Sequence, residues 1–384
     1  MTRPLVAGGI VIAFTVIVPA QIPSGSHDAP FRTIKIAFES GDGTPLSGTL
    51  TTPESTGPHP VVVYVQTAEA QTMDTRIQRP RGRVVEFFDL YRARLADANI
   101  AFFSYEGRGV MSGSSPPRYM DIDRAVYNTS TLENKVRDAV AAVQAVKQQP
   151  GIGGARIFLT GVSEGTLLAA ETAARLPQDV KGIVLSSVLT DLREALTFMT
   201  SDGAYLQHRG HWDANNDGVI AREEFDADPK GVRRVMPNVG FDVFDLDRDG
   251  AYTIEERRRA SKPLTDAIAQ GNLEIVGAWL KTSAVIQTPD GWLADHFAHP
   301  SIWTFLSRLN IPVGIFHGEV DANTPVAGVR ALERLARAAG RNNIEFHYFR
   351  ELDHSLGGLM YFDTGVPSEG YQSLFEWVRR HAGQ

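Results

Sequence analysis

"RIFLTGVSEGTLLAAETAARL" occupies residues 156 to 176, and its reading decides the fold. "RIFLT" is a short, mostly apolar run of the kind buried on both faces of a parallel sheet. "TLLAAETAARL" consists largely of good helix formers with apolar residues at helical spacing. Only "GVSEG" (161–165) is left to turn the strand into the helix. So tight a turn needs flanking positions without bulk, and it thrusts Ser163 out at the sheet edge, in front of a helix N-terminus that favours negative charge. In a chain with 35 glycines the pattern alone is weak. Its place between a buried strand and a helix gives it mechanical meaning as a nucleophile.

Working outward, the same alternation recurs. "FRTIKIAFE" (31–39) alternates as a half-buried strand does, and "LSGTLTTP" (46–53) is expected to pair with it as a hairpin. "VVVYV" (61–65), "IAFFSY" (100–105), "VKGIVLSSV" (180–188), "IPVGIFHG" (311–318) and "IEFHYFR" (344–350) read as further strands. Helices are expected over 84–98, 131–148, 326–339 and 368–381. Strands alternating with helices imply a doubly wound, mostly parallel α/β sheet. The rhythm stops near Asp191 and resumes at Ile311. The core therefore comprises residues 31–190 and 306–384, and 191–305 is an insertion that forms a cap.

A serine nucleophile needs a base, and the base needs an acid to orient it. With a nucleophile elbow the chain order is Ser, then Asp or Glu, then His. "HGEVDANTP" (317–325) places Asp321 in the loop after one strand, and "LDHSLGG" (352–358) places His354 in the loop after the next. Both loops open on the edge that carries Ser163, where open α/β sheets place their function. Glu319 and Asp353 are competing carboxylates, and His317 and His347 competing imidazoles. His317 reads as a turn residue and His347 as a strand residue, while Glu319 comes early in its loop.

These motifs resemble the α/β-hydrolase superfamily, in particular exported bacterial members related to serine aminopeptidases and esterases. "YEGRGVMSGSS" (105–115) is similar to that family's Tyr-Asp-x-Arg-Gly-x-Gly-x-Ser turn, with Glu106 in the aspartate position. "GVSEG", "HGEVDANTP" and "LDHS" resemble its nucleophile, acid and base motifs. The resemblance implies an oxyanion hole made of two backbone N–H groups. One is that of Glu164, directly after the nucleophile. The other comes from the loop after "VVVYV", where the family has His-Gly and this chain has "QTAEAQTMD" (66–74), with Gln66 in the histidine position. Thr67 or Ala68 is expected to supply it, since either carries the donor.

The insertion holds a second kind of chemistry. "DANNDGVIAREE" (213–224) spaces Asp213, Asn215 and Asp217 as alternate oxygen ligands, turns at Gly218, offers the Val219 carbonyl and closes with Glu224. "DLDRDGAYTIEE" (245–256) repeats the pattern with Asp245, Asp247, Asp249, Gly250, the Ala251 carbonyl and Glu256. Two such loops in tandem resemble an EF-hand pair, and two calcium ions are expected. Tyr252 stands where an aliphatic residue is usual; the first loop has Ile220 there. An exported protein meets steady, high calcium, so the expected role is structural, a staple for a small cap. Helices over 264–286 and 302–309 are expected to complete the insertion, with Trp279, Trp292 and Phe297 in the cap core.

Composition limits the function classes. At 43% hydrophobic and 22% charged residues the chain is globular, and a net charge of −7 argues against a nucleic-acid partner. Cysteine is absent, which excludes disulfides and thiol chemistry. Arg3, the apolar run Leu5–Val18 and "VPAQ" read as a signal peptide over 1–20, cut near Ala20. The apolar run is shorter than the roughly 20 residues that span a bilayer, so no stable span is expected after cleavage. The expectation is an exported, periplasmic or secreted, serine hydrolase acting on a small carboxylic ester, or else on an amide or short peptide. The competing class is a calcium-dependent binding protein on a hydrolase core without turnover.

Overall fold

The computed structural model describes residues 31–79, 82–116, 118–152, 156–232, 239–282 and 288–383. The expected signal peptide lies outside them. Eight strands form the main sheet: β1 (Phe31–Glu39), β2 (Pro45–Pro53), β3 (Val61–Tyr64), β4 (Ala101–Tyr105), β5 (Ile157–Val162), β6 (Val180–Ser186), β7 (Val313–Gly318) and β8 (Ile344–Phe349). Their order is β1-β2-β4-β3-β5-β6-β7-β8. β2 pairs antiparallel with β1 and β4, and every other neighbouring pair is parallel.

Alternate residues explain why the central strands are apolar throughout. Val61 and Val63 face one core with Leu168 and Val329, while Val62 and Tyr64 face another with Tyr91 and Phe375. Helices cover each face: α2 (Leu132–Lys147), α3 (Glu164–Arg175) and α9 (Val326–Ala338) on the first, α1 (Asp89–Asp97) and α10 (Glu369–Ala382) on the second. Along β1 only Ile36 is buried, so its alternation belongs to an edge strand with a single point of anchorage.

The insertion leaves β6 and returns to β7. It contains α4 (Leu192–Thr200), α5 (Asp202–Trp212), α6 (Ile254–Ala269), α7 (Leu273–Thr282) and α8 (Trp292–Ala298). Two small cores hold it. One joins Leu196, Ile268, Val276, Trp292 and Leu293; the other joins Tyr205, Trp212, Ile220, Phe225 and Tyr252. Trp279 and Phe297 lie at the rim of the first, half-buried rather than central.

Two boundaries differ from expectation. The helix expected over 84–98 begins only at Asp89, because Val84–Glu86 pairs as a short ribbon with Arg76–Gln78. The β-branched pair Val84–Val85 favours that pairing over a first helical turn. In the insertion, the helix expected to run through residues 264–286 breaks between α6 and α7, where Gly271 adopts φ 67°.

The elbow is one of the tightest points of the fold. A Cβ on Gly161 would lie 2.2 Å from the Gly165 carbonyl oxygen, and one on Gly165 would lie 2.9 Å from the carbonyl oxygens of both Val65 and Gln66. Backbone meets backbone there, and no side chain can yield. Gly161→Ala is therefore expected to destabilise the protein by about 1–3 kcal/mol in guanidinium denaturation. An unchanged unfolding midpoint would contradict this packing.

Candidate active site

Ser163 follows β5 directly and precedes α3 directly. Its backbone has φ 56° and ψ −124°, a conformation that non-glycine residues hold only when their surroundings force it. The Ser163 N–H donates to the Ser186 carbonyl at 3.2 Å, which ties the elbow to the end of β6. The first N–H groups of α3 have no partner within the helix, so partial positive charge gathers beside the hydroxyl.

Asp321 and His354 meet at the same edge. His354 Nδ1 donates to Asp321 Oδ2 at 2.8 Å and lies 3.0 Å from Oδ1. Asp321 is buried and also accepts the Thr324 hydroxyl at 2.7 Å and the N–H groups of Asn323 and Thr324 at 2.8 and 2.9 Å. Burial pushes its carboxyl up, but the charge and hydrogen bond of His354 outweigh that and bring it down to about 2. His354 keeps 26% of its side chain exposed, and its carbonyl accepts the Ser187 hydroxyl at 2.7 Å. Burial lowers its pKa, yet the charge and hydrogen bond of Asp321, with Asp353 and Glu69 further off, raise it above the ordinary histidine value. Among the described residues no hydrogen bond joins the Ser163 hydroxyl to His354. Such links are often long in free enzymes and tighten with substrate.

The competing residues have other partners. His317 is fully buried; its Nδ1 accepts the Val188 N–H at 3.2 Å and its Nε2 donates to the Thr324 carbonyl at 3.1 Å. Burial depresses its pKa, so it is a neutral brace for the Asp321 loop. Glu319 pairs with Arg330 at 2.5 Å, Asp353 accepts the Ser355 hydroxyl at 2.7 Å, and His347 stacks on Phe316 with ring centroids 4.6 Å apart. Glu106 accepts the Ser47 hydroxyl and the Ser112 N–H at 2.8 and 2.9 Å, so it holds its own turn.

Of the two alternatives expected for the second oxyanion donor beside Glu164, the Thr67 N–H faces Gln71 Oε1 at 3.4 Å, while that of Ala68 has no partner among the described residues. Gln66 is buried, and its side-chain amide donates to the Tyr105 carbonyl. The Glu164 side chain points away from the hydroxyl into the protein. There it accepts from Lys135 Nζ at 2.5 Å, Trp292 Nε1 at 2.5 Å and His296 Nε2 at 2.7 Å. Burial raises its pKa, but Lys135 and His296 more than compensate and hold it well below the usual carboxylate range. Sequence reasoning missed Lys135, His296 and the inward role of Glu164.

The two acidic loops of the insertion share one internal bonding scheme. Asp213 accepts the N–H groups of Asp217 and Gly218 at 3.2 and 3.1 Å; Asp245 accepts those of Asp249 and Gly250 at 3.1 Å each. Glu224 Oε1 accepts the Ala214 N–H at 2.9 Å, and Glu256 Oε1 that of Leu246 at 2.6 Å. The loops join through an antiparallel ribbon in which Ile220 faces Tyr252 and Ala221 faces Ala251. Asp245, Asp247 and Asp249 each bring a carboxylate oxygen within 4.8 Å of the others. Asn215 and Asp217 are also adjacent, with Asn215 Nδ2 donating to Asp217 Oδ2 at 3.0 Å. Val219 and Ala251 follow Gly218 and Gly250, whose φ values of 93° and 90° make the sharp turn.

Residues 82–209, which include the elbow, match the family model described as serine aminopeptidase, S33. No curated protein matches the chain. Among solved structures, an acylaminoacyl peptidase of Pyrococcus horikoshii superposes with a TM-score of 0.51 at 12% identity, covering 92% of this chain and 41% of its own. The chain thus spans less than half of that protein, and at such identity the likeness is one of fold. An esterase of Pyrococcus furiosus gives a TM-score of 0.49 at 10% identity, over 96% of this chain and 97% of that one. The sheet order and the elbow are those of an α/β-hydrolase fold, and together with the family match over residues 82–209 they support a serine hydrolase.

A neutral imidazole is required for His354 to take a proton. Activity is therefore expected to rise with pH through a value above about 6.5, the unperturbed histidine pKa. Asp321→Asn removes the charge that raises that pKa, so the ascending limb of kcat/KM is expected to move to lower pH while kcat falls about 10³–10⁴-fold. An unmoved limb would show that Asp321 does not govern the base.

Proposed function

We propose that the protein hydrolyses a carboxylic ester, or the amide of a short peptide, through an acyl-enzyme on Ser163. The hydroxyl attacks the carbonyl carbon while His354 Nε2 takes its proton; the same nitrogen then protonates the leaving group. Asp321 holds the ring with Nδ1 protonated and stabilises the imidazolium. Water, deprotonated by His354, releases the acid. The observation that carries this reading is the Asp321–His354 hydrogen bond at the sheet edge where Ser163 stands in its forced conformation.

Calcium in the paired loops belongs to the same proposal. Support comes from the clustered oxygens of Asp245, Asp247 and Asp249, the matching bonding scheme around Asp213, Asn215, Asp217 and Glu224, and the ribbon that joins the loops. Bound calcium would neutralise these carboxylates and close each loop onto its glutamate. Its effect would reach the site through α5, which enters the first loop. Gly203 on that helix lies so close to the Asp321 loop that a Cβ would sit 2.2 Å from the Ala322 carbonyl oxygen. This favours a structural ion that braces the acid loop. The basic and apolar start of the chain supports export, to surroundings where calcium keeps such sites filled.

Hydrolysis of a p-nitrophenyl ester series and an aminoacyl-p-nitroanilide series distinguishes the two substrate classes. Turnover of either, abolished in Ser163→Ala, is expected; turnover that survives the substitution would reject the site. For the metal, EDTA is expected to lower the melting temperature by several degrees, since a ligand at a hundred times its Kd contributes about 2.7 kcal/mol. A melting curve indifferent to EDTA and to added calcium would reject the staple.

A further inference from the structure

The loop after β3 has to present a backbone N–H to the reacting carbonyl, yet residues 66 to 74 contain no glycine to ease the turn. Three bonds fix its first residues instead. The Gln66 side chain donates to the Tyr105 carbonyl, the Thr67 N–H faces Gln71 Oε1 at 3.4 Å, and Lys135 Nζ donates to the Thr67 carbonyl at 3.1 Å. Lys135 stands on α2, with only 8% of its side chain exposed. Its other partner is Glu164 Oε1 at 2.5 Å, on the residue directly after the nucleophile. The second oxygen of that carboxylate accepts from Trp292 and His296 of the insertion, so the pair is clamped from both sides.

In a planar trans peptide the carbonyl and the following N–H point in opposite directions. A lysine that draws the Thr67 oxygen toward itself therefore turns the Ala68 N–H away from itself. That N–H has no partner among the described residues, while the Thr67 N–H is directed at Gln71. The loop also sits directly on the elbow, because the Val65 and Gln66 carbonyls close over Gly165. We propose that Lys135 is a positioning residue: by holding the Thr67 carbonyl, it presents the Ala68 N–H to the oxygen that becomes negative when Ser163 attacks. Glu164 then serves the oxyanion twice, through its own N–H and, across the Lys135 pair, through that of Ala68. In this chain a buried ion pair takes the part that backbone freedom plays in a glycine-containing loop.

The inference rests on the hydrolase reading of Ser163, and its test separates the two. Lys135→Met keeps the length of the side chain but leaves Glu164 without its cation, so it can unfold the site for reasons unrelated to catalysis. Lys135→Met/Glu164→Gln removes both charges and leaves an acceptor for Trp292 and His296. On p-nitrophenyl butyrate the double variant is expected to melt near the wild-type temperature, keep KM within about twofold and lose about 10²-fold in kcat, the size of one oxyanion donor. Wild-type kcat in the well-folded double variant would overturn the proposal, as would a loss carried by KM. A wild type without Ser163-dependent turnover would overturn the hydrolase reading and this proposal with it.

Discussion

The backbone at residue 163 carries the architecture. A non-glycine residue at φ 56° and ψ −124° is held in place only if the chain around it has no alternative. Here the constraint is double. β5 is paired on both sides, to β3 and β6, so the turn cannot retreat into the sheet. α3 starts at the next residue and packs its alanines and leucines onto the same core, so the turn cannot relax into the helix. The missing side chains of Gly161 and Gly165 are the space in which this happens. Strain stored at one serine is thus balanced by the burial of the two elements it joins, and it places a hydroxyl at the edge of the sheet.

That edge is where the rest of the molecule converges. The loop after β7 brings Asp321 and the loop after β8 brings His354, each fixed from behind: His317 braces the first and Ser187 the second. The insertion is more than a lid. It reaches the acid loop through Gly203 and the elbow through Trp292 and His296, which share the Glu164 carboxylate with Lys135. Glu164 is a charge taken out of water at considerable cost, and several partners are needed to compensate. Because it stands next to Ser163, the same partners join the core, the insertion and the loop after β3 at one point.

Much of this could be read along the chain because its causes are local. The doubly wound sheet follows from continuous apolar runs bounded by turn residues, and the elbow from glycines at fixed offsets between a strand and a helix. The two joined loops of the insertion follow from acidic residues and glycines at fixed spacing. The ribbon of Val84–Glu86 could not be read this way: its valines fit a helical period, and only their partner, Arg76–Gln78, decides otherwise. The clamp on Glu164 was hidden for a stronger reason. Lys135 and His296 lie 29 and 132 residues away in sequence, so no pattern near "GVSEG" shows that its glutamate points inward. Likewise, only the folded chain shows that Lys135 holds the Thr67 carbonyl.

We propose that Ser163 is the nucleophile and is activated by the Asp321–His354 pair. Intact-mass spectrometry after incubation with a fluorophosphonate tests it most directly. One phosphonyl group per chain, located on the peptide containing Ser163, lost in Ser163→Ala and slowed at least a hundredfold in His354→Ala, is the predicted result. Folded wild-type protein that stays unmodified, or that is labelled equally well without His354, would contradict the account.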